Sequence, residues 1–156
     1  MRRQLKTERG FSLAEMLVVV AIIGLSIAVV VPLTSEQVRR AKARGAADEF
    51  AANLKAARMI AVTKHATVSF VVTPDPTNTY RYPAVNGVDR TFALPAGVRI
   101  TSPSSETTIA FQSNGSVTAA NTTVMEANLT GTEKERFTVT TGVTGVPVIT
   151  RQRVSS

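Results

Sequence analysis

The sequence lacks cysteine and tryptophan altogether, and His65 is its single histidine. Without cysteine there is no disulfide bond, no thiolate nucleophile and no cysteine-ligated metal. One histidine on its own cannot assemble the usual zinc sites, and we interpret His65, at the predicted end of a helix, as a surface or capping residue. We therefore predict no catalytic residue, no metal and no cofactor, and a membrane-anchored enzyme is the less favoured function.

Carboxylates occur in two clusters, but neither has the features of an acid–base site. Asp48 and Glu49 lie in a segment with helical periodicity, and Glu133 and Glu135 lie in a highly charged segment that ends at Arg136. Charged side chains are rarely buried, so we expect the first pair on a solvated helix face and the second in a solvated turn. The glycines are scattered at turns and form no phosphate-binding loop.

A long uncharged run dominates the first quarter of the chain. Residues 16–35 carry no formal charge, and about 20 such residues are enough to cross a bilayer as a helix. Residues 1–10 hold four basic side chains and one acidic one, which is +3 of the formal net charge of +7 and leaves +4 for the remainder. Basic residues beside a span stay in the cytoplasm. The leader is thus predicted to face the cytoplasm, with a single pass through the inner membrane and everything after Leu33 outside.

One carboxylate, Glu15, lies at the mouth of the apolar run. An acid near hydrocarbon costs on the order of a few kcal/mol at the bilayer centre and less near the interface, so it indicates a functional site with a cationic partner. An ordinary cleaved secretory signal has a shorter apolar core followed by a small-residue cut site, which this sequence lacks. A plain signal anchor fits the hydrophobicity but explains neither Gly10, nor the aromatic Phe11, nor Glu15.

The leader that ends in Gly10, followed by Phe11-Ser12-Leu13-Ala14-Glu15 and the apolar run, resembles the class III signal of type IV pilins and type II secretion pseudopilins. The resemblance implies that a prepilin peptidase cuts between Gly10 and Phe11 and methylates the new N-terminus. It also implies that Glu15 meets the N-terminal amine of a neighbouring subunit as the helices bundle in a filament. Such a pair at about 4 Å attracts by roughly 4 kcal/mol at an effective dielectric constant of about 20.

The apolar run is predicted to continue as one helix into an amphipathic half, residues 34–63. Its apolar residues recur at helical spacing on one face: Phe50, Leu54, Ala57 and Ala61. Pro32 lies where the helix leaves the membrane, and its missing N–H costs roughly 3 kcal/mol in a helix interior. Two interpretations stay open for it: a simple kink, or, as in pilins, a place where the helix melts inside a filament, with Gly24 as a further weak point.

After residue 64 the apolar period changes from helical to two, as in the segment Thr67-Val68-Ser69-Phe70-Val71-Val72-Thr73. Strands are predicted at 67–73, 79–82, 90–94, 98–102, 107–111, 116–118, 124–129, 136–141 and 146–150. Short strands separated by turns predict antiparallel sheets, two in number, against which the helix packs its apolar face. The predicted fold class is α+β, with a leader at 1–10, a membrane half of the helix at 11–33, an amphipathic half at 34–63 and a β domain at 64–156.

Three segments in the second half resemble the domain shared by the GspH and FimT minor pseudopilins and pilins. In the family's order they are Ala57-Arg58-Met59-Ile60-Ala61-Val62, then Leu94-Pro95-Ala96-Gly97-Val98-Arg99-Ile100, then Ile109-Ala110-Phe111 with Gly115, ahead of a terminal strand after Arg136. The resemblance implies a structural subunit of a secretion pseudopilus or a type IV pilus, with the prepilin peptidase and other pilins as partners. The sequence does not distinguish the two machines.

DNA binding in natural transformation is the alternative function, because FimT-type members carry a Gly-Arg-x-Arg motif near the C-terminus. At the aligned position this chain has Thr144-Gly145-Val146-Pro147-Val148, with valines in place of the arginines. Arg151 and Arg153 follow on what we interpret as a mobile tail, where they could supply displaced phosphate contacts.

Overall fold

The computed structural model describes residues 12–129 and 133–155, and of residues 28–34 it describes only the backbone. The predicted cleavage site, Gly10 and Phe11, lies outside the described residues. The chain divides into two units, residues Met1–Ser35 and Glu36–Ser156. The described elements are one helix, α1 (Leu13–Lys64), and eight strands: β1 (Val68–Thr73), β2 (Thr79–Pro83), β3 (Asp89–Ala93), β4 (Val98–Ser102), β5 (Thr107–Phe111), β6 (Asn121–Asn128), β7 (Glu133–Thr141) and β8 (Pro147–Ser155).

Helix α1 begins after Ser12, whose carbonyl accepts hydrogen bonds from the N–H groups of Glu15 and Met16 at 3.0 and 3.2 Å. The helix is continuous through Gly24 and Pro32 as far as Lys64, so neither residue ends it. Its C-terminus has the paired bonds of a Schellman motif, His65 N–H to Val62 carbonyl and Ala66 N–H to Ala61 carbonyl. Exposed His65 occupies the left-handed position with φ of 50°, and this confirms its interpretation as a surface capping residue.

The strands form two four-stranded antiparallel sheets, in the orders β3-β2-β1-β5 and β4-β6-β7-β8. The predicted α+β class, with a helix packed on antiparallel sheets, is confirmed. Several strand predictions are wrong in detail, since β6 and β7 each begin three residues before the predicted start and two other segments differ more. Residues 116–118 form only an isolated bridge between Val117 and Phe111. The last strand, predicted at 146–150, runs on to Ser155 because its whole length pairs with β7.

The core of the Glu36–Ser156 unit lies between the helix and the sheets. The buried face of the helix recurs every three or four residues and is made mostly of small side chains: Ala43, Ala47, Phe50, Leu54, Ala57 and Ala61, each at most 1% exposed. Small residues allow the helix backbone to approach the sheets closely. The apolar face predicted from residue 50 onward is confirmed, and it extends about two turns further toward the N-terminus, to Ala43.

An aromatic layer joins the helix to the first sheet. Phe50 meets Phe70 and Tyr80 edge to face, with ring centroids 5.4 and 5.0 Å apart. The side chain of Asn53 links the two tyrosines, since its Nδ2 donates to Tyr80 Oη at 2.9 Å and its Oδ1 accepts from Tyr82 Oη at 2.8 Å. Desolvation of its buried hydroxyl raises the pKa of Tyr80 to about 12.

Candidate functional site

The first described part of the helix exposes its large apolar side chains on every side. From Leu13 to Ile27 the exposed fractions run from 43% to 82%, for Leu13, Met16, Leu17, Val18, Val19, Val20, Ile22, Ile23, Leu25 and Ile27. A soluble domain seldom leaves so many large apolar residues together in water, and an apolar surface of this kind marks contact with a membrane or with other protein. We call residues 12–27 the apolar helix segment.

Glu15 is the one charged side chain of the apolar helix segment, and it is exposed in the first turn of α1. The free N–H groups of that turn favour a carboxylate there. Glu15 makes no ion pair with any of the described residues. Its charge is therefore available to a cation supplied from elsewhere.

The other polar side chain within the helical part of this segment, Ser26, is satisfied internally. Its hydroxyl donates to the carbonyl of Ile22 at 2.8 Å, one helical turn earlier. A side chain that bonds its own helix presents no free donor to apolar surroundings.

Within the part of the chain that the structure describes, no helix has a stretch both long enough and apolar enough to cross a membrane. The membrane half predicted from the sequence, residues 11–33, includes Phe11, which lies outside the described residues, and residues 28–33, of which only the backbone is described. The span, and the kink expected at Pro32, stay predictions.

A second group of residues, which we call the glycine junction, ties the helix to two loops of the β unit. Arg58 Nε donates to the carbonyl of Gly115 at 2.9 Å. A Cβ atom on Gly145 would lie 2.0 Å from that same carbonyl oxygen. The segments that carry the family resemblance around residues 58, 115 and 145 thus meet at one point in the fold, which gives Gly145 a packing role.

The charged segment at 133–136 is strand and not turn, so its interpretation as a solvated turn is wrong. Glu135 is completely buried, and its carboxylate pairs with Nε of Arg151 on β8. Neither carboxylate oxygen accepts a hydrogen bond from a described residue, so this ion pair is what compensates the buried charge. The alternation of Glu135, Phe137 and Val139 along β7 was the signal that could have placed Glu135 on the inner face.

The two arginines considered for DNA contact lie in β8, because β8 pairs with β7 as far as Ser155. The prediction that they lie on a mobile tail is therefore wrong. Arg151 is committed to Glu135 and its side chain is 37% exposed, whereas Arg153 is exposed. A phosphate-binding pair at this place would have to share the guanidinium of Arg151 with Glu135.

The described residues offer few side chains arranged for metal binding or acid–base catalysis. No group of three or more histidine, aspartate or glutamate side chains lies close enough together there to hold a metal ion. Asp48 and Glu49 are exposed on the helix, as predicted.

Comparison with known proteins found two family models that match the sequence and a solved structure with a similar fold. The family model described as "Type II transport protein GspH" matches residues 46–145, and the model of the prokaryotic N-terminal methylation motif matches residues 5–31. The crystal structure of the type IV minor pilin FimU from Pseudomonas aeruginosa is similar, with a TM-score of 0.50, 16% identity, and coverage of 72% of this chain and 90% of FimU. No curated protein matches the sequence. The methylation motif contains all three residues of the predicted processing and assembly site, Gly10, Phe11 and Glu15.

Proposed function

The chain belongs to the GspH family of type II transport proteins, and we propose that Glu15 on its apolar helix segment is the contact by which it enters a filament. It is a minor pilin or pseudopilin, a subunit in secretion or pilus assembly. The family and the fold are those of structural pilins. The observation that carries the proposal is an exposed carboxylate without an ion-pair partner among the described residues, at the start of an exposed apolar helix.

The methylation motif implies processing by a prepilin peptidase. Cleavage between Gly10 and Phe11 removes the basic leader, and methylation of Phe11 leaves a cationic secondary amine at the new N-terminus. Residues 11–33 hold the subunit in the inner membrane as a single pass until it assembles, with the leader cytoplasmic and the β unit on the exported side.

During assembly, two opposite charges that lie at the same depth in the membrane pair between neighbouring subunits. The amine of Phe11 on one subunit meets Glu15 on its neighbour, and the apolar side chains around Glu15 pack between helices. Attraction between unit charges grows as the surroundings become less polar, so the pair favours one register of subunit addition over its neighbours. Mispaired registers leave a charge in apolar surroundings and are disfavoured.

Two substitutions test the processing and assembly steps separately. Gly10→Ala should block cleavage and leave the full-length chain in the membrane, as judged by electrophoretic mobility and by the mass of the N-terminus. Glu15→Ala should be cleaved, methylated and inserted normally but recovered poorly in sheared filaments. Glu49→Ala, which removes an exposed carboxylate from the same helix outside the apolar segment, is the control. Normal incorporation of the Glu15→Ala chain would refute the role of Glu15.

The machine is identified by the phenotype of cells that lack the gene. Loss of surface pili, restored by complementation, assigns the subunit to a type IV pilus. Unchanged pili with a loss of exported enzymes from the medium assign it to a secretion pseudopilus, the machine named in the family's description.

A further inference from the structure

A cavity of about 320 Å³ lies between the helix and two strand ends in the Glu36–Ser156 unit. We call it the basic cavity. Its floor is apolar and buried, formed by Val98 and Ala127, which are 5% and 2% exposed. Two exposed cations from successive turns of α1 stand at its rim, with an exposed amide and an exposed turn opposite: Arg39, Lys42, Asn128, Ala96 and Gly97. No carboxylate of a described residue lines it.

The cations at the rim have no counter-ion in the described part of the chain. The neighbouring Arg40 shows the contrast, because it pairs with Glu36 on the helix and lies 3.7 Å from a carboxylate oxygen of Glu133. Neither Arg39 nor Lys42 forms an ion pair with a described residue. Two positive charges thus face a cavity whose lining neutralises neither of them.

The place of the basic cavity along the chain points to the source of its ligand. Arg39 and Lys42 follow Leu33, the last residue of the predicted span, by six and nine positions, or roughly 9 and 14 Å of helix. The headgroup layer on each side of a bilayer is on the order of 5–8 Å thick. Helical side chains lean toward the N-terminus, and long basic side chains extend to reach the interface. The two charges thus come within reach of lipid phosphates.

Basic residues are also unexpected at this position. The flank of a span on the exported side is usually poor in lysine and arginine. This chain has four there, as many as in its leader: Arg39, Arg40, Lys42 and Arg44. Of these four, only Arg40 pairs with a carboxylate of a described residue, so the pair at the cavity is available to an anion from outside the chain.

We propose that the basic cavity binds the phosphodiester headgroup of an anionic glycerophospholipid in the leaflet on the exported side. Arg39 and Lys42 bind the phosphate, Asn128 donates to the glycerol oxygens, and the apolar floor excludes water beneath them. The volume suits such a group, since small-molecule sites begin at about 300 Å³. The proposal rests on the membrane anchoring proposed above. Headgroup binding holds the β unit against the membrane before assembly and is released when the subunit leaves the bilayer for the filament.

The test uses the full-length chain in nanodiscs that contain equal amounts of phosphatidylglycerol and phosphatidylcholine. Both lipids carry the phosphate, but phosphatidylcholine brings its own cation. Native mass spectrometry of the released protein counts the lipids of each kind that stay bound. Arg39→Gln with Lys42→Gln should lower the preference for phosphatidylglycerol about thirtyfold, as expected for two basic side chains near an anionic surface. Arg44→Gln with Lys55→Gln removes the same charge from the helix outside the cavity and should change the preference for phosphatidylglycerol little.

Several results would overturn the proposal. Equal retention of the two lipids by the unaltered chain, or an equal loss in both double variants, would show that no specific headgroup site exists. Loss of the preference in excess inorganic phosphate would assign the cavity to free phosphate. Normal lipid retention by the Arg39→Gln, Lys42→Gln chain together with poor filament incorporation would assign it to an acidic group of a neighbouring subunit. A chain that fails to enter nanodiscs at all would refute the membrane anchor itself, which separates that failure from the failure of the cavity.

Discussion

A single backbone oxygen determines which residue position 145 can hold. Gly145 has φ of 73°, and a Cβ there would lie 2.0 Å from the carbonyl oxygen of Gly115, which already accepts the bond from Arg58. Because this hydrogen bond fixes the Gly115 carbonyl, the backbone cannot move away from the added Cβ without a cost in free energy. We expect Gly145→Ala to lower the free energy of unfolding by at least about 2 kcal/mol, among the larger effects of single substitutions. Chemical denaturation followed by near-ultraviolet circular dichroism measures it.

Gly87 supplies the matched control, because its φ of 82° is similar but a Cβ there would meet nothing within 4 Å. Gly87→Ala should cost about 1 kcal/mol, the price of the left-handed conformation alone. Equal effects of the two substitutions would show that backbone strain, and not the close approach to Gly115, accounts for the glycine at 145.

The buried charge of Glu135 makes a second prediction at this scale. Arg151→Met should cost about 3 kcal/mol, because removing one partner leaves a buried carboxylate uncompensated. The double variant with Glu135→Leu should recover most of that loss, since an apolar pair of similar volume needs no compensation. Arg153→Met, on the exposed neighbour, should stay within about 0.5 kcal/mol. Stability measured by urea unfolding that falls equally in the single and double variants would contradict a compensating ion pair.

Residue identity alone misled the prediction for Glu135, and the reason is physical. Four charged residues in a row indicate solvent by composition, whereas β pairing places every second one against the core. Register with β6 and β8, whose pairing residues lie outside the charged segment itself, decided which face of β7 is inside. Phe50, Leu54, Ala57 and Ala61 were predictable because a helix sets its faces locally.

The residue that follows helix α1, His65, has a left-handed backbone conformation that its side chain disfavours. His65 occupies the left-handed position of the Schellman motif, where glycine is usual, and its exposed side chain makes no hydrogen bond with a described residue. His65→Gly should therefore stabilise the fold by about 0.5–1 kcal/mol, measured as a rise in the midpoint of thermal or urea unfolding.

Asn78 is the control for the helix-end prediction, since it is the other described non-glycine residue with positive φ. Its side chain bonds Asp75 and accepts the N–H of Ile100 at 2.8 Å, which joins the start of β2 to β4 in the other sheet. Asn78→Gly should relieve the same strain yet destabilise the fold, because those bonds are lost. If His65→Gly instead lowers the unfolding midpoint, the His65 side chain makes a stabilising contact that the structure does not show.

At the level of elements, periodicity predicted the helix and most strands but not the length of β8. Its side chains are exposed at nearly every position, so the strand carries no apolar alternation by which a sequence could reveal it. It exists because β7 offers a complete edge for pairing from Thr141 back to Glu133. Edge strands of this kind depend on a partner more than on their own propensity.

At the scale of the whole molecule, the residue proposed as the assembly contact and the core that gives stability belong to different units. Glu15 lies in the Met1–Ser35 unit, while every residue of the core among those whose burial is described lies in Glu36–Ser156. Effects at distant sites without shared partners add independently. Glu15→Ala should thus leave the melting temperature of the β unit unchanged while it lowers filament incorporation.

Leu54→Ala should instead lower the stability of the β unit and leave processing at the N-terminus unchanged. Leu54 is fully buried in a core cluster that contains residues of both sheets, and its truncation should cost about 2–5 kcal/mol. Cleavage at Gly10 should nevertheless proceed at the normal rate, because the peptidase acts on the leader and the first residues of the helix. Circular dichroism gives the first quantity, and the ratio of cleaved to uncleaved chain in pulse-labelled membranes gives the second. Slow cleavage of the Leu54→Ala chain would mean that the peptidase requires a folded β unit, and that processing and folding are coupled through the helix they share.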